Sequence, residues 1–318
     1  MAKVDRFGWY IDQVSSHEGS DDKVLEQRRE LKWIEMISKW DTFMKSKRDV
    51  VARRVKKGIP DTFRSRAWGL ILKINEVTDD FGANADKSPL DCYGVINKDL
   101  SRSFPQVGYF SNNVFIDKLR HVLYAYAQVD SDLGYTQGMN FIAGMLLMYM
   151  DEELAFKSLY QIMKNRYVNH RDYLAPPFNR LGIANRVFMY LIERKYRKIF
   201  QNLNKRSIQC EMFTSAWFMT AFQNLSWCPE LQLRIFDRFV FYGTRALHSF
   251  GLVIFSRHKD ILLNGDIEVV LPVLQKPDES ERMKDWKYVI KKWDEHWLSK
   301  SEYERALRAV GAPKEDFL

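Results

Sequence analysis

The chain has 318 residues, of which 46% are hydrophobic and 28% are charged, a globular composition that excludes wholesale disorder. Glycine and proline number only 15 and 9, and so few chain breakers favour helices over a turn-rich β-sandwich or barrel. The net charge of +8 permits nucleic acid, an anionic membrane surface or an acidic protein as partner, without choosing among them. Three separated cysteines, Cys92, Cys210 and Cys228, argue against a disulfide framework or zinc ribbon and favour a reducing compartment.

The first predicted element is an amphipathic helix over residues 24–44, within an N-terminal extension that we place at residues 1–49. Trp33 and Trp40 lie on its apolar stripe, which indicates that the helix packs onto the main body. A strongly basic run, Lys45–Arg66, follows. A solvated face is the plain interpretation of such a run, and a patch that meets an acidic partner or anionic lipid is the alternative.

The middle of the chain alternates helical patterns with breaks. Gly58-Ile59-Pro60 interrupts the chain, because proline is tolerated in a turn or at the first position of a helix. Apolar spacing then predicts helices over residues 61–73, 96–103 and 113–128. The polar residues 75–94 predict a connecting loop.

The second half of the chain also has helical spacing. Residues 138–150 are apolar almost all the way round, which predicts a central buried helix whose methionine and aromatic side chains form core rather than a cofactor site. Asp237 lies in an otherwise apolar helix and should satisfy a backbone group or another side chain in the core. Helical spacing recurs over residues 154–166, 184–200, 212–224, 231–241, 247–258 and 280–310. The sequence therefore predicts an all-α, multi-helix protein.

Signatures of self-contained enzymes are missing from the sequence. It has no G-x-x-x-x-G-K-[ST] loop, no G-x-G-x-x-G turn, no H-E-x-x-H helix and no G-x-S-x-G elbow. The six histidines are scattered without ligand spacing, so we expect structural or surface roles for them and no metal site. These observations give little support to a hydrolase, kinase or dehydrogenase.

Several short stretches stand out in order along the chain. They are Gly58-Ile59-Pro60 with Arg64 and Trp68, Ile96-Asn97-Lys98-Asp99-Leu100-Ser101-Arg102, Tyr135-Thr136-Gln137-Gly138-Met139, and Arg234 to Phe239. The first three resemble the G-I-P…R…W opening and the I-x-x-D-x-x-R and Y-x-Q-G-M motifs of the TBC domain. This is the family of GTPase-activating proteins for Rab GTPases. The order and separations of the motifs also fit.

The resemblance implies a multi-helix TBC (Rab-GAP) domain of two helical subdomains around a groove. We place this domain at residues 50–318, with the motif-bearing core at about 50–265 and C-terminal helices at 266–318. Region 24–57, rich in tryptophan and then basic, looks most like the branch containing the USP6 N-terminal-like proteins.

The resemblance implies that Arg102 is an arginine finger. Small GTPases hydrolyse GTP slowly because they lack a cation near the charge that builds on the phosphoryl group, and a well-held group that orients the attacking water. Asp99 lies three residues before Arg102, so in a helical segment it could fix the guanidinium stem or the adjoining backbone. An ordinary surface ion pair is the alternative interpretation.

The resemblance also implies that Gln137 is a glutamine finger supplied in trans. Its amide can accept a hydrogen bond from water and donate one to the γ-phosphate. Gly138 would allow close backbone approach to the partner, and Tyr135 completes the supporting motif. The alternative is that this stretch is merely a helix N-terminus. Arg64 is interpreted as scaffold, or alternatively as a residue that helps line the catalytic groove.

The favoured hypothesis is a GTPase activator without an independent active site. It needs no cofactor of its own, because Mg²⁺ and GTP are carried by a Rab-family partner in the GTP state. This function implies vesicle trafficking, with a cytoplasmic location, recruitment to endomembranes through the partner, and no nucleic-acid partner. Two alternatives stay open, a non-catalytic Rab-binding helical module and a basic helical protein that binds anionic membrane or nucleic acid.

Overall fold

The structure is a computed structural model, and it describes residues 8–9, 20–85, 87, 90–165 and 168–313, with the side chains of residues 20–26 left out. Across these ranges the regular elements are helices, which confirms the all-α prediction. None of the helices found there is both long enough and apolar enough to cross a bilayer.

The first part of the described chain contains ten α-helices. They are α1 (Ser20–Ser38), α2 (Trp40–Ser46), α3 (Arg48–Lys57), α4 (Asp61–Leu72), α5 (Phe81–Ala85), α6 (Tyr93–Leu100), α7 (Asn113–Val129), α8 (Met139–Leu147), α9 (Glu152–Lys164) and α10 (Arg171–Leu174). Here α7 packs against α5, α6, α8 and α9, so it forms the spine of this group.

The helices in the second part form another group. They are α11 (Asn179–Lys195), α12 (Arg197–Lys205), α13 (Glu211–Met219), α14 (Pro229–Tyr242), α15 (Thr244–Arg257), α16 (Lys259–Asn264), α17 (Ile267–Gln275), α18 (Trp286–Glu295) and α19 (Lys300–Ala309). In this group α11 packs against α12, α13, α15 and α19. Contacts of α14 with α3 and α4, and of α10 with α9, α11 and α13, join the two groups.

Local sequence signals define several of these helix ends. The Asn112 side chain accepts from the backbone N–H of Val114 at the start of α7, and the Asp151 side chain caps α9 in the same way. Pro229 begins α14, where its missing N–H costs nothing. Gly243 separates α14 from α15 with a φ of +61°, which glycine adopts without strain.

The N-terminal extension differs from its prediction in one respect. The predicted single helix over 24–44 is two helices, because the chain breaks at Lys39 between α1 and α2. Trp33 and Trp40 are both buried, which confirms that the stripe packs onto the body. The predicted loop over 75–94 is also partly wrong. It contains α5, which is held by packing on α7 and α9 rather than by a strong local pattern.

The prediction of a buried central helix is confirmed in α8, although the helix ends at Leu147 rather than at residue 150. Gly144 in its middle has a specific reason to lack a side chain, since a Cβ there would lie 2.8 Å from the rings of Phe104 and Phe110. The segment that follows Arg102 can therefore pack directly against α8. This packing brings the two central sequence motifs to the same part of the molecule.

A segment from the N-terminus also docks beside this region. Trp9 is fully buried and forms an isolated antiparallel bridge with Val107, and the Gly108 N–H donates to the Gly8 carbonyl at 2.7 Å. The N-terminal extension thus reaches the chain segment that follows Arg102.

Candidate functional site

Arg102 is held by the helix that precedes it. Asp99 is buried in the last turn of α6, whereas the Arg102 side chain, two residues beyond the helix end, is 55% exposed. Nε and Nη2 of Arg102 donate to Oδ1 of Asp99 at 2.9 and 2.6 Å. The Arg102 backbone N–H also donates to the Asp99 carbonyl, at 3.2 Å. Asp99 thus fixes both the stem and the backbone of Arg102 while the rest of the guanidinium faces solvent.

Tyr135 joins the two motif segments. Its hydroxyl donates to Oδ2 of Asp99 at 2.7 Å and lies 3.2 Å from Oδ1 of Asn140. A hydroxyl has one hydrogen, and the shorter distance assigns it to the carboxylate. Burial and the neighbouring Asp99 raise the pKa of Tyr135 well above its ordinary value, so the phenol remains protonated and continues to donate.

Asn140 and Ser103 complete this network, and neither was predicted from the sequence. The Asn140 amide donates to Ser103 Oγ at 2.7 Å, and Ser103 Oγ donates to the Asp99 carbonyl at 2.9 Å. Oδ1 of Asn140 accepts from the Gly138 N–H at 3.2 Å. Asn140 is buried in an otherwise apolar helix, and that contrast was the available signal. We call residues 99, 102, 103, 135 and 140 the Asp99 network.

Gln137 projects from a segment that is anchored on both sides. Thr136 before it donates from Oγ1 to the Leu174 carbonyl at 3.1 Å, and Gly138 after it is tied to Asn140. Gln137 itself is exposed, and its amide makes no hydrogen bond to any residue that the structure describes. The amide therefore sits on a fixed backbone with its donors and acceptor open to a partner.

Gly138 has two reasons to be glycine. Its φ of +113° is strained for residues with a side chain, and a Cβ would lie 3.3 Å from the Met219 carbonyl and from Thr220 Cγ2. The close approach that the structure shows is therefore to α13 of the same chain. Close approach to a partner stays a prediction.

Arg64 belongs to a second cluster, centred on Asp237. Nε of Arg64 donates to Oδ1 of Asp237 at 3.1 Å, and Nη2 donates to the Ile59 carbonyl at 2.7 Å. Burial acts to lower the pKa of Arg64, but Asp237, Tyr149 and an ion pair with Asp61 together raise it above its ordinary value. The guanidinium remains charged although its side chain is only 4% exposed.

Asp237 is the hub of this second cluster. It is fully buried in α14 and also accepts from the Ile59 N–H at 3.1 Å and from the Trp68 indole N–H at 2.9 Å. The expectation that Asp237 satisfies other polar groups in the core is confirmed. These hydrogen bonds hold the opening motif against the stretch Arg234 to Phe239, the fourth of those described in the sequence.

The two clusters lie at opposite ends of α8. Gln137 precedes the first residue of α8, whereas Arg64 lies 3.3 Å from the Tyr149 hydroxyl, beyond its last residue. A helix of nine residues is about 14 Å long. The structure thus brings Asp99, Tyr135 and Gly138 together with Arg102 and Gln137, and it places Arg64 elsewhere.

Two cysteines and two histidines outside the Asp99 network are unsuited to catalysis. Burial raises the pKa of the Cys210 and Cys228 thiols to about 12, so both remain protonated. Burial lowers the pKa of His170 and His248 to about 4, so both are neutral at pH 7. Within the described ranges, no group of three or more histidine, cysteine or acidic side chains could hold a metal ion. The site therefore presents two exposed polar groups, the guanidinium of Arg102 and the amide of Gln137.

Comparison with known proteins matches residues 61–263 to the Rab-GTPase-TBC domain. The Drosophila melanogaster ecotropic viral integration site 5 ortholog is 29% identical over 259 residues, which are 81% of this chain and 32% of that protein. The Caenorhabditis elegans Rab GTPase-activating protein eat-17 is 27% identical over 263 residues, 82% of this chain and 29% of that protein. The chain spans about a third of the length of these relatives.

A solved structure of the Chlamydomonas flagellar RabGAP TBC domain has a TM-score of 0.69 at 19% identity, covering 93% of this chain and 100% of that one. At this identity the likeness establishes the fold. The branch predicted from residues 24–57 stays a prediction. The family match spans most of the chain and contains both Arg102 and Gln137, and the chain belongs to the Rab-GTPase-TBC domain family.

Proposed function

We propose that this chain accelerates GTP hydrolysis by a Rab-family small GTPase, with Arg102 as arginine finger and Gln137 as glutamine finger. Membership of the family supports this class of activity, and one relative is named as a Rab GTPase-activating protein. The observation that carries the proposal is the Asp99 network. It ties together the segments that bear Arg102 and Gln137 while both side chains remain exposed.

Arg102 supplies positive charge to the transition state. An arginine given in trans is worth about 10³–10⁵ in rate, which corresponds to roughly 4–7 kcal/mol of transition-state stabilisation. Its guanidinium is always charged and presents a planar fork of donors, so it can contact both the transferred phosphoryl group and the leaving group. Because Asp99 holds Nε and Nη2, little conformational freedom is lost when a partner docks.

Gln137 orients the attacking water. Its amide accepts from the water and donates to a γ-phosphate oxygen, the two contacts that align a nucleophile in line. The flanking bonds of Thr136 and Gly138 keep its backbone fixed. Mg²⁺ and GTP arrive bound to the partner in its GTP state, so the activator needs no cofactor or independent active site.

Four further residues support these two. Asp99 and Tyr135 position Arg102, and Gly138 permits the backbone turn that presents Gln137. Arg64 stabilises the opening motif through Asp237, and we assign it no contact with the partner's nucleotide. We assign residues 50–318 to the TBC domain and 1–49 to an extension, with recruitment to endomembranes in trafficking occurring through the Rab partner.

A panel of Rab proteins loaded with GTP tests the proposal. Single-turnover phosphate release should be accelerated by at least about 10³-fold with a matched Rab, and Arg102→Ala should lose most of that acceleration. Arg308→Ala is the matched control, because Arg308 is likewise exposed and paired with a carboxylate, Glu304. Tight binding of GTP-loaded Rab without acceleration anywhere in the panel would refute catalysis and favour a non-catalytic binding module.

A further inference from the structure

A basic pocket lies outside the Asp99 network, between α1, α3, α14 and α18. It has a volume of about 730 Å³, and seven of its thirteen lining residues are lysine or arginine, against a single acidic residue. Arg29 and Lys32 come from α1, Arg53 and Lys57 from α3, and Arg234 from α14. Positive side chains from three separate helices thus converge on one cavity.

Most of this positive charge has no ion-pair partner among the described residues. Asp294, the acidic residue of the lining, is already paired with Arg238 at 2.9 Å, and Arg238 is fully buried. No carboxylate of a described residue forms an ion pair with any of the six cations Lys32, Arg53, Arg54, Lys56, Lys57 and Arg234. The pocket lining therefore has a net positive charge, which favours binding of an anion.

The pKa values of two of these cations are lowered by burial and by neighbouring positive charges. Burial, and then repulsion from Arg238, lower the pKa of Lys56 to about 8. Burial, and then repulsion from Arg29, lower the pKa of Arg234 to about 10. An anion in the pocket would offset both reductions in pKa, because a nearby opposite charge favours the charged form of each side chain.

The pocket is shaped before any ligand arrives. Arg29 donates to the backbone carbonyls of Lys57 and Gly58 at 2.7 and 2.8 Å, and the Arg54 guanidinium donates to the Lys32 carbonyl. These bonds hold α1 against α3 across the pocket. Preorganisation of this kind reduces the entropy lost on binding.

We infer that the basic pocket binds a compact anion that carries several phosphate groups, such as a phosphorylated inositol ring. Its volume falls in the range of small-molecule sites, about 300–1,000 Å³, rather than that of an open groove for a nucleic-acid strand. Guanidinium forks match phosphate oxygens, and several phosphates on one ring match cations from several helices. The same chemistry comes either from a soluble inositol polyphosphate or from the headgroup of a phosphoinositide lipid.

The test uses the full chain and a triple variant, Lys32→Gln with Arg53→Gln and Lys57→Gln. All three residues are exposed on the rim of the pocket, so their loss should leave the urea midpoint unchanged. The control is Arg197→Gln with Lys198→Gln and Lys259→Gln, which removes the same charge from exposed positions on α12 and α16. Calorimetry measures binding of inositol trisphosphate and of inositol hexakisphosphate to each protein.

We expect the triple variant to bind either compound about 100-fold more weakly than the unmodified chain, from a loss of about fivefold for each of the three cations, and the control to bind normally. Vesicles of phosphatidylcholine containing phosphatidylinositol bisphosphate then identify the source. Selective vesicle binding over phosphatidylserine of equal charge assigns a lipid headgroup, whereas binding of the soluble compounds alone assigns a free polyphosphate. Equal affinity in the triple variant and control, or no binding to any of these probes, would overturn the inference.

Discussion

Two aspartates each hold an arginine in this protein, and the two pairs differ in how deeply the arginine is buried. The Arg102 side chain is 55% exposed above Asp99, whereas that of Arg64 is 4% exposed beside Asp237. Both aspartates are buried. The same ion pair can therefore present a cation to a partner at the surface or lock two parts of the chain together in the core.

Both aspartates also join segments that are distant in sequence. Asp99 connects α6 to the turn before α8 through Tyr135, and Asp237 connects α14 to the opening motif through Trp68 and the Ile59 backbone. The two groups of bonds differ in the property of the protein that they support. The Asp237 cluster is part of the fold's stability, whereas the Asp99 network is proposed to serve activity.

The largest effect on stability should come from Asp237→Asn. It removes the buried charge partner of the Arg64 guanidinium and leaves only the partly exposed Asp61, and loss of one member of a buried ion pair typically costs about 3–5 kcal/mol. Urea denaturation should show this loss in the free energy of unfolding. Asp61→Asn is the control, since Asp61 pairs with the same arginine but is 33% exposed, and it should cost less than about 1 kcal/mol. Equal losses in the two variants would contradict a special role for the buried carboxylate.

Acidification should destabilise the core through His170 and His248. Their pKa values are lowered to about 4, against about 6.5 in an unfolded chain, so the unfolded state binds more protons as the pH falls from 6.5 to 4. The full stability is present above pH 6.5. Between pH 7 and pH 5 each histidine should remove about 2 kcal/mol from the free energy of unfolding.

Denaturation curves at the two pH values, for the chain and for His248→Gln, provide the measurement. The variant should show a smaller loss between pH 7 and pH 5 whatever its absolute stability, because one buried neutral imidazole is gone. An unchanged pH dependence would show that His248 is not the group being protonated.

Tyr135→Phe removes the hydroxyl that joins the two motif segments. Oδ2 of Asp99 then loses its buried donor, and we expect a stability loss of roughly 1–3 kcal/mol. Tyr135 is a positioning residue, so the acceleration of GTP hydrolysis should also fall, and through kcat rather than KM. Tyr126→Phe is the control, because its buried hydroxyl donates to Asp130 in another part of the fold. It should cost stability without the fall in kcat.

The smallest effect on stability should come from Arg102→Lys. The side chain is more than half exposed, so the free energy of unfolding should change by no more than about 0.5 kcal/mol. Activity should nevertheless fall by at least about tenfold, because an ammonium lacks the planar fork. A fully active lysine variant would mean that charge alone suffices and that the geometry set by Asp99 is unimportant.

The sequence predicted the helices that have a strong apolar pattern, together with the segments bearing Arg102 and Gln137. It did not predict the break at Lys39 or helix α5, because tertiary packing decides both. The roles of Ser103 and Asn140 were also missed. Ser103 and Asn140 become partners because α8 packs against the end of α6, and the spacing of residues along the chain does not predict that contact.

The basic pocket shows the same limit. In the sequence, a solvated face is the plain interpretation of the basic run Lys45–Arg66. Arg29 and Arg234 lie outside that run, and folding brings both of them beside it. A charge pattern in sequence therefore did not reveal that the cations enclose a cavity.

The most direct test of the central claim is a double-mutant cycle on single-turnover GTP hydrolysis by a matched Rab. The four proteins are the unmodified chain, Arg102→Ala, Gln137→Ala and the double variant. Two side chains that act as one unit on a single transition state should be non-additive. We predict that the double variant loses scarcely more acceleration than the more impaired single variant, and full activity in either single variant would contradict the account.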